Sequence, residues 1–346
     1  MIHADFGQWL LEPSEISDHF SEFCKDLFST EQSFSTNVPH FPDYLTPLQM
    51  ANQLSFLSDP LNDFKIQKSL KSFKLLKTLG PDGVHPIFFH KCWDSIKDSV
   101  TQTIHKEFFE PQSIHLINET VLCLIPKVER LENTKQYRPI GLSNTIDKCL
   151  TMIIVNRIRP YLNSIINPFQ TSFRLGRQGG DNVILVQEAL NFFNNKMGKI
   201  GFMAIKIEHE KAFDRLHWSF IHYCLKLFGF NDCISNIIMN CVTTSTNSLI
   251  LNGKSGTPFK PSRGVRQGHY ISPYIFILAM EILNLLIDNA KDLSSWEPFT
   301  FGRTGHSITH CFFVDDLILF GKATHESAPK IQTILQLFCE WPGQKI

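Results

Sequence analysis

Two adjacent aspartates, Asp315 and Asp316, stand between two short apolar runs, residues 311–314 and 317–320. Each run has the length of a strand and is too short for a helix, so the pair predicts a tight β-hairpin with the acids at its tip. Neighbouring carboxylates repel, and hydrophobic strands around them make it costlier to ionise both. A divalent cation removes that cost, and hard oxygen ligands at this density suit Mg²⁺. An acidic turn facing water is the other reading of the same tetrapeptide, because Asp is common in turns.

A second acidic cluster, Glu208, Glu210 and Asp214, follows an apolar run at 202–207 that reads as a buried strand. An acid at one strand's end, facing a hairpin with two more, is the plan of a site that holds two metal ions to activate a hydroxyl. The alternative is a charged loop opening a helix, where acids favour the N-terminal dipole. A third element, from Arg263 through Arg266, Gln267, Gly268 and His269 to Ser272-Pro273, is a glycine-containing loop entering a helix that runs to about Ala290. Ser at the cap and Pro in the first turn mark that helix start. His209, Glu210 and His217 do not read as a zinc site, since i, i+8 spacing spans more than two helical turns.

The rest of the 346-residue chain is 43% hydrophobic, enough for one large domain or two to three subdomains. Helical spacing marks 20–28, 63–74, 93–109, 213–228 and 233–242, and a helix over 146–158 closed by Pro160; 121–125 is a short strand. Residues 35–39 and 42–43 read as loops, and Gly80-Pro81-Asp82-Gly83 as a turn. Helices mixed with strands indicate an α+β or α/β chain. The net charge is zero, which excludes a histone-like, tail-driven nucleic-acid binder. That total hides a contrast: residues 1–60 hold nine acids and one base, and residues 121–180 nine bases and three acids. The longest apolar stretch, 274–287, is short of the ~20 residues of a membrane span. Nine cysteines without a C-x-x-C pair, and no basic n-region ahead of an apolar core, point to a reducing intracellular compartment without a signal peptide.

The order of these elements carries a family resemblance from about Leu61 onward. Leu79-Gly80-Pro81-Asp82-Gly83 resembles a GPDG lead-in. Leu124-Ile125-Pro126-Lys127 with Tyr137-Arg138-Pro139-Ile140-Gly141-Leu142 resembles LIPK…FRPISL, and Gln170-Thr171-Ser172-Phe173 with Gly176-Arg177 resembles NQSAFxxGR. Lys211-Ala212-Phe213-Asp214 resembles the KAFD of polymerase motif A, Arg266-Gln267-Gly268 with Ser272-Pro273 the RQGDPLSP of motif B, and Phe313-Val314-Asp315-Asp316 the FADD of motif C. Together they resemble the reverse transcriptase domain of a plant-type non-LTR (LINE-type) retrotransposon.

The resemblance implies an α+β right-hand polymerase fold with an antiparallel palm sheet backed by helices. It divides the chain into an acidic lead (1–60), a fingers-like region (61–200) and a palm-like region (201–346) without a thumb. It implies RNA-directed DNA polymerisation with two Mg²⁺ ions, an RNA template, a DNA primer and dNTP, and no membrane. Glu208, Asp315 and Asp316 are the expected catalytic metal ligands. Lys127 and Arg138 are expected to hold the triphosphate, Arg138 in bidentate fashion, and the basic middle to face polyanions. Phe213 would lie under the sugar and reject a 2′-hydroxyl, and Gln267 and Gly268 would support the nascent base pair. Two departures stand out: Glu208 occupies the place of the motif A aspartate, and His269 that of the motif B aspartate. A carboxylate pushed outward by one methylene is expected to impair an oriented reaction. The expectation is therefore a decayed, truncated copy of weak or no activity, with the nucleus a candidate compartment. The alternatives are a non-catalytic RNA-binding remnant, a chain with no biochemical role, and a group II intron maturase-like transcriptase.

Overall fold

A computed structural model describes residues 2–3, 9–30, 57–196, 199–293, 296–301, 305 and 307–346. The loops expected at 35–39 and 42–43 lie outside the described residues. Eleven strands and eleven α-helices alternate among them: β1 (Ile2–His3), β2 (Trp9–Leu10), α1 (Pro13–Leu27), α2 (Asp63–Lys71), α3 (Pro86–Lys91), α4 (Trp93–Phe109), β3 (Glu119–Pro126), β4 (Tyr137–Ser143), α5 (Thr145–Ile165), α6 (Gly179–Asn195), β5 (Phe202–Ile207), α7 (Ala212–Arg215), α8 (Trp218–Leu227), α9 (Asp232–Thr243), β6 (Thr246–Leu251), β7 (Lys254–Ser255), α10 (Ser272–Asp292), β8 (Phe299–Thr300), β9 (Ser307–Ile308), β10 (His310–Phe313), β11 (Asp316–Lys322) and α11 (Ser327–Glu340).

Two sheets frame the site. One has the order β10-β11-β5 with both pairings antiparallel, so the acidic hairpin lies beside the strand that leads into Glu208. The other has the order β4-β3-β6-β7; β3 pairs antiparallel with β4 and parallel with β6. The first sheet contributes to the main apolar core, which runs from Leu57 on the lead into α2 to Trp341 after α11, whereas Leu122 and Leu249 of the second pack in a smaller cluster with Phe20, Cys24 and Leu27 of α1. The mixture of helix and sheet is the α+β class the motif order implies.

α10 is the core's axle. Sixteen of its twenty-one residues are buried, among them Phe276, Ile277, Ile282, Leu283 and Ile287. It is longer than the 274–287 stretch suggested and, by length and composition, apolar enough to cross a membrane. Polar Glu281 and Asn284 interrupt the apolar run without ending the helix, and protein covers most of its surface. Ser272 is the first residue of α10 rather than its cap; Ile271 holds the cap position.

Packing also overrides three local signals. α5 continues through Pro160, which removes one backbone donor but leaves Ile158, Leu162 and Ile165 on one buried stripe. The helix expected over 213–228 breaks at Leu216 and His217, because neighbouring segments take their backbone groups: Gly264 N–H donates to Leu216 O (2.8 Å) and His217 N–H to Pro342 O (2.9 Å). β5 is only half covered, with Ile207 its one fully buried residue, since one face of the sheet is left open. In α2, Ile66 and Leu70 carry the inner face and Phe64 is exposed.

Candidate active site

The acidic hairpin forms as the apolar runs require. Phe313 pairs with Asp316, leaving Val314 and Asp315 as the two-residue turn. Val314 has φ 58°, a left-handed conformation that costs a β-branched residue about 1–2 kcal/mol. Gly179, at the start of α6, lets the Phe313 ring lie flat over it; a Cβ there would sit 2.6 Å from that ring. Burial, joined by the Asp316 charge against an opposing backbone hydrogen bond, holds the Asp315 carboxyl above its ordinary value.

β5 delivers Glu208 to the same place. Leu317 pairs with Ile207, so one antiparallel step further sets Asp316 across from Glu208. One cleft of about 440 Å³ is lined by Lys127, Arg138, Glu208, His209, Lys211, Phe213, Gln267, Asp315 and Asp316, with Ala212. Eight expected residues, from five separate stretches of chain, were Lys127, Arg138, Glu208, Phe213, Gln267, Gly268, Asp315 and Asp316; all but Gly268 line it. Gly268 lies against Gly141 of β4 instead, with φ 96°.

The carboxylates nevertheless do not close on a common point. Glu208 is 72% exposed and ion-paired with Lys206, whose hydrogen bond holds the Glu208 carboxyl below the usual range. Among the described residues no three acidic, imidazole or thiol side chains converge to hold a metal ion. Asp315 and Asp316 fit a hard divalent cation, which would relieve both burial and mutual repulsion. Glu208, turned along its own strand face, is not a third ligand in this arrangement; the reason is the lysine two residues back, on the same side of β5.

The cleft's floor is built differently. Asp214 is fully buried and accepts from both sides of its carboxylate: Gln267 Nε2 lies 3.0 and 2.9 Å from its two oxygens. Burial pushes Asp214 up to about 7. Lys211, in a left-handed backbone conformation, donates to the Tyr137 carbonyl, and burial brings its amine down to about 8. Gly264 (φ 84°) passes directly over the Asp214 carbonyl, where any Cβ would overlap the oxygen. Gly141 N–H on β4 donates to Gln267 O (2.7 Å), tying the loop to the other sheet. Phe213 stacks on Phe276 of α10 (4.5 Å between centroids), which fixes its ring beside the cleft.

His269 is part of this floor. It is 4% exposed, and its Nε2 is 2.9 Å from Asp147 of α5. Arg266 lies 3.6 Å from the same carboxylate and donates to Thr120 Oγ1 (2.7 Å) and Cys241 O (2.8 Å). Burial raises Asp147, but His269 and Arg266 outweigh it and hold the carboxyl below its ordinary value.

The basic middle divides in two. Lys127 and Arg138 face the cleft. Arg157 instead donates to the carbonyls of Leu57, Asp59 and Pro60, Arg174 to those of Asn163 and Asn167, and Lys148 to that of Thr78. These three are buried clamps on backbone carbonyls, so not all of the bases over 121–180 are free to face a polyanion. The burial of Lys211, Asp214 and Asp147 is not legible in the sequence. The first two lie inside the KAFD stretch; Asp147 carries no local signal beyond an acid in a helix whose neighbours are apolar.

Comparison with known proteins agrees with this geometry. Residues 125–346, well over half the chain, match the reverse transcriptase (RNA-dependent DNA polymerase) family. The chain is 26% identical over 298 residues to the transposon TX1 uncharacterized 149 kDa protein of Xenopus laevis, covering 86% of this chain and 23% of that protein. It is 27% identical over 278 residues to the Pol polyprotein of the type-2 retrotransposable element R2DM of Drosophila melanogaster, covering 80% and 24%. A 67-residue stretch is 37% identical to an uncharacterized mitochondrial protein of Arabidopsis thaliana, covering 19% of this chain and 55% of that one. The chain thus spans about a quarter of the length of the transposon relatives. With hairpin, strand end and loop gathered round one cleft, and the family matched across all three, the chain belongs to the reverse transcriptases, as a domain of the non-LTR retrotransposon kind.

Proposed function

We propose that this chain extends a DNA primer on an RNA template from dNTPs, using Asp315 and Asp316 as the principal Mg²⁺ ligands. The convergence of seven expected residues on one cleft of about 440 Å³ carries the reading. Bound Mg²⁺ would supply charge neutralisation for the primer hydroxyl and the departing pyrophosphate. Lys127 and Arg138 meet the triphosphate from the opposite wall, Arg138 with a planar fork suited to two phosphate oxygens. Phe213, braced by Phe276, presents a ring under the sugar and excludes a 2′-hydroxyl by contact. Gln267, spent on Asp214 through its amide, supports the base pair through its fixed backbone. Lys211 keeps a positive charge below about pH 8 at the phosphate end of the cleft.

Glu208 sets the level of activity. Engaged with Lys206, it leaves the metal site short of one carboxylate, so the chain as it stands is a weak polymerase. The same pairing favours a second reading, an RNA-binding remnant that uses Lys127 and Arg138 without metal. Primer extension on an RNA template separates them. Glu208→Asp raises product about a hundredfold over the unaltered chain, the scale expected from re-placing one catalytic group. Asp315→Asn in the Glu208→Asp background removes that product. Silence of Glu208→Asp, with salt-dependent RNA binding that ignores Mg²⁺ and survives Asp315→Asn, would establish the remnant instead.

A further inference from the structure

The turn that presents Asp315 holds a strained residue, and strain at one φ persists only where the surroundings enforce it. The surroundings here come from a segment remote in sequence. Gln170, 2% exposed, lies between α5 and α6; its Oε1 accepts from Val314 N–H (3.2 Å) and its Nε2 faces Val314 O (3.5 Å). The same Oε1 accepts from Ser172 N–H (3.2 Å), which fixes the amide's orientation. The flanking backbone is pinned to the hairpin: Phe312 N–H donates to Phe169 O (3.0 Å) and Thr171 N–H to Phe312 O (3.3 Å). A side chain so anchored meets both backbone polar groups of Val314, the hairpin residue whose backbone is left-handed.

We propose that Gln170 is a positioning residue for the Asp315–Asp316 turn, holding Val314 in its left-handed conformation so that both carboxylates face the cleft. Val is a poor residue for that conformation, and the hairpin's own ladder reaches the turn only through the closing Phe313–Asp316 pair, so the bonds that meet Val314 itself come from Gln170. The role rests on the functional reading only for its purpose. The clamp itself is a statement about backbone geometry.

Hydrogen exchange of the segment 312–318 in the full chain tests it, alongside Mn²⁺ affinity measured by water-proton relaxation. Gln170→Met keeps the volume and removes both partners; exchange of the Val314 amide speeds up about tenfold or more, as for a locally opened site, and Mn²⁺ binds more weakly. Gln170→Glu keeps the acceptor and gives a smaller acceleration, and it serves if Gln170→Met does not fold. Adding Val314→Gly, which adopts φ > 0 without strain, returns Mn²⁺ affinity toward the unaltered chain. Asn182→Ala is the control: it removes the neighbouring bond from Asn182 Nδ2 to Phe312 O (2.7 Å) and leaves Val314 protected. Unchanged exchange in both Gln170 variants, or equal acceleration in Asn182→Ala, overturns the clamp. Acceleration with Mn²⁺ affinity unmoved upholds the clamp and counts against the metal role of the aspartates.

Discussion

The floor and the rim of the cleft use the same kind of residue in opposite ways. On the floor, Asp214 and Asp147 are completely buried and held by partners remote in sequence: both oxygens of Asp214 face Gln267 Nε2, and one oxygen of Asp147 faces His269 and Arg266. On the rim, Glu208 is mostly exposed and its ion-pair partner, Lys206, comes from its own strand two residues away. A buried carboxylate must be satisfied or it unfolds the site, so the floor is fixed by the energetics of the fold itself. An exposed one costs the fold nothing, so its aim is left to local chance or to a ligand. The lesson is that the fold itself places a buried carboxylate, whereas an exposed one such as Glu208 is placed by its nearest neighbour.

The sharpest way to break the contrast is to take the charge from Asp147. Asp147→Asn leaves Arg266 buried without its counter-ion and offers His269 only a neutral acceptor. Removal of one member of a buried charged network costs about 3–5 kcal/mol. Urea unfolding of Asp147→Asn is expected to show a loss on that scale, whereas His269→Asn, which leaves Arg266 and Asp147 paired, loses less. A loss below about 1 kcal/mol for Asp147→Asn would place this network with ordinary surface ion pairs.

This network also shows where sequence reading reaches its limit. The hairpin was legible because four apolar residues on either side of two acids have few other solutions. The separate pairing of β11 with β5, which no local pattern in the hairpin fixes, sets Glu208 beside Asp316. Motif order brought Lys127, Arg138, Phe213 and Gln267 to the same cleft, since each stands in a short stretch with its own pattern. Asp147 stood in no such stretch: its partner is 122 residues away, and pairing at that distance leaves no periodicity to read. His269 looked like a lesion for the same reason, although its ring is well accommodated. The aim of Glu208 was illegible too, because it depends on a rotamer competing between Lys206 and open solvent. Pro160 and the break at His217 fall between these cases: the local signal was real and packing outweighed it.

A smaller effect comes from titrating the floor. Burial raises Asp214 to about 7 from an ordinary 3.8. Between those values the unfolded chain has released the proton that the native floor retains, so this group's contribution to stability falls as pH rises from about 4 to 7. Lys211, lowered to about 8, works in the other direction and only above that pH, where the unfolded chain still holds a proton the native amine has lost. Asp214→Asn is expected to flatten the decline between pH 4 and 7. Thermal melting across that range in both chains measures it; an unchanged slope would mean Asp214 is ionised in the native floor throughout.

The least costly substitution for the fold is the most informative about the rim. Lys206→Ala removes the only ion-pair partner found for Glu208 among the described residues. Both side chains are open to water, where such pairs contribute little and are screened by salt, so the melting temperature should not move measurably. The carboxylate it frees lies one strand step from Asp316, and a third oxygen ligand should strengthen divalent-cation binding by about two- to fivefold, the scale on which an exposed lysine competes. Mn²⁺ titration followed by water-proton relaxation gives the result, with Lys322→Ala as the control, since it breaks a comparable exposed pair with Glu297 at the far end of β11. Equal affinity in both variants would mean that the extra methylene of Glu208, and not the lysine, keeps it out of the site. The remedy would then be Glu208→Asp alone.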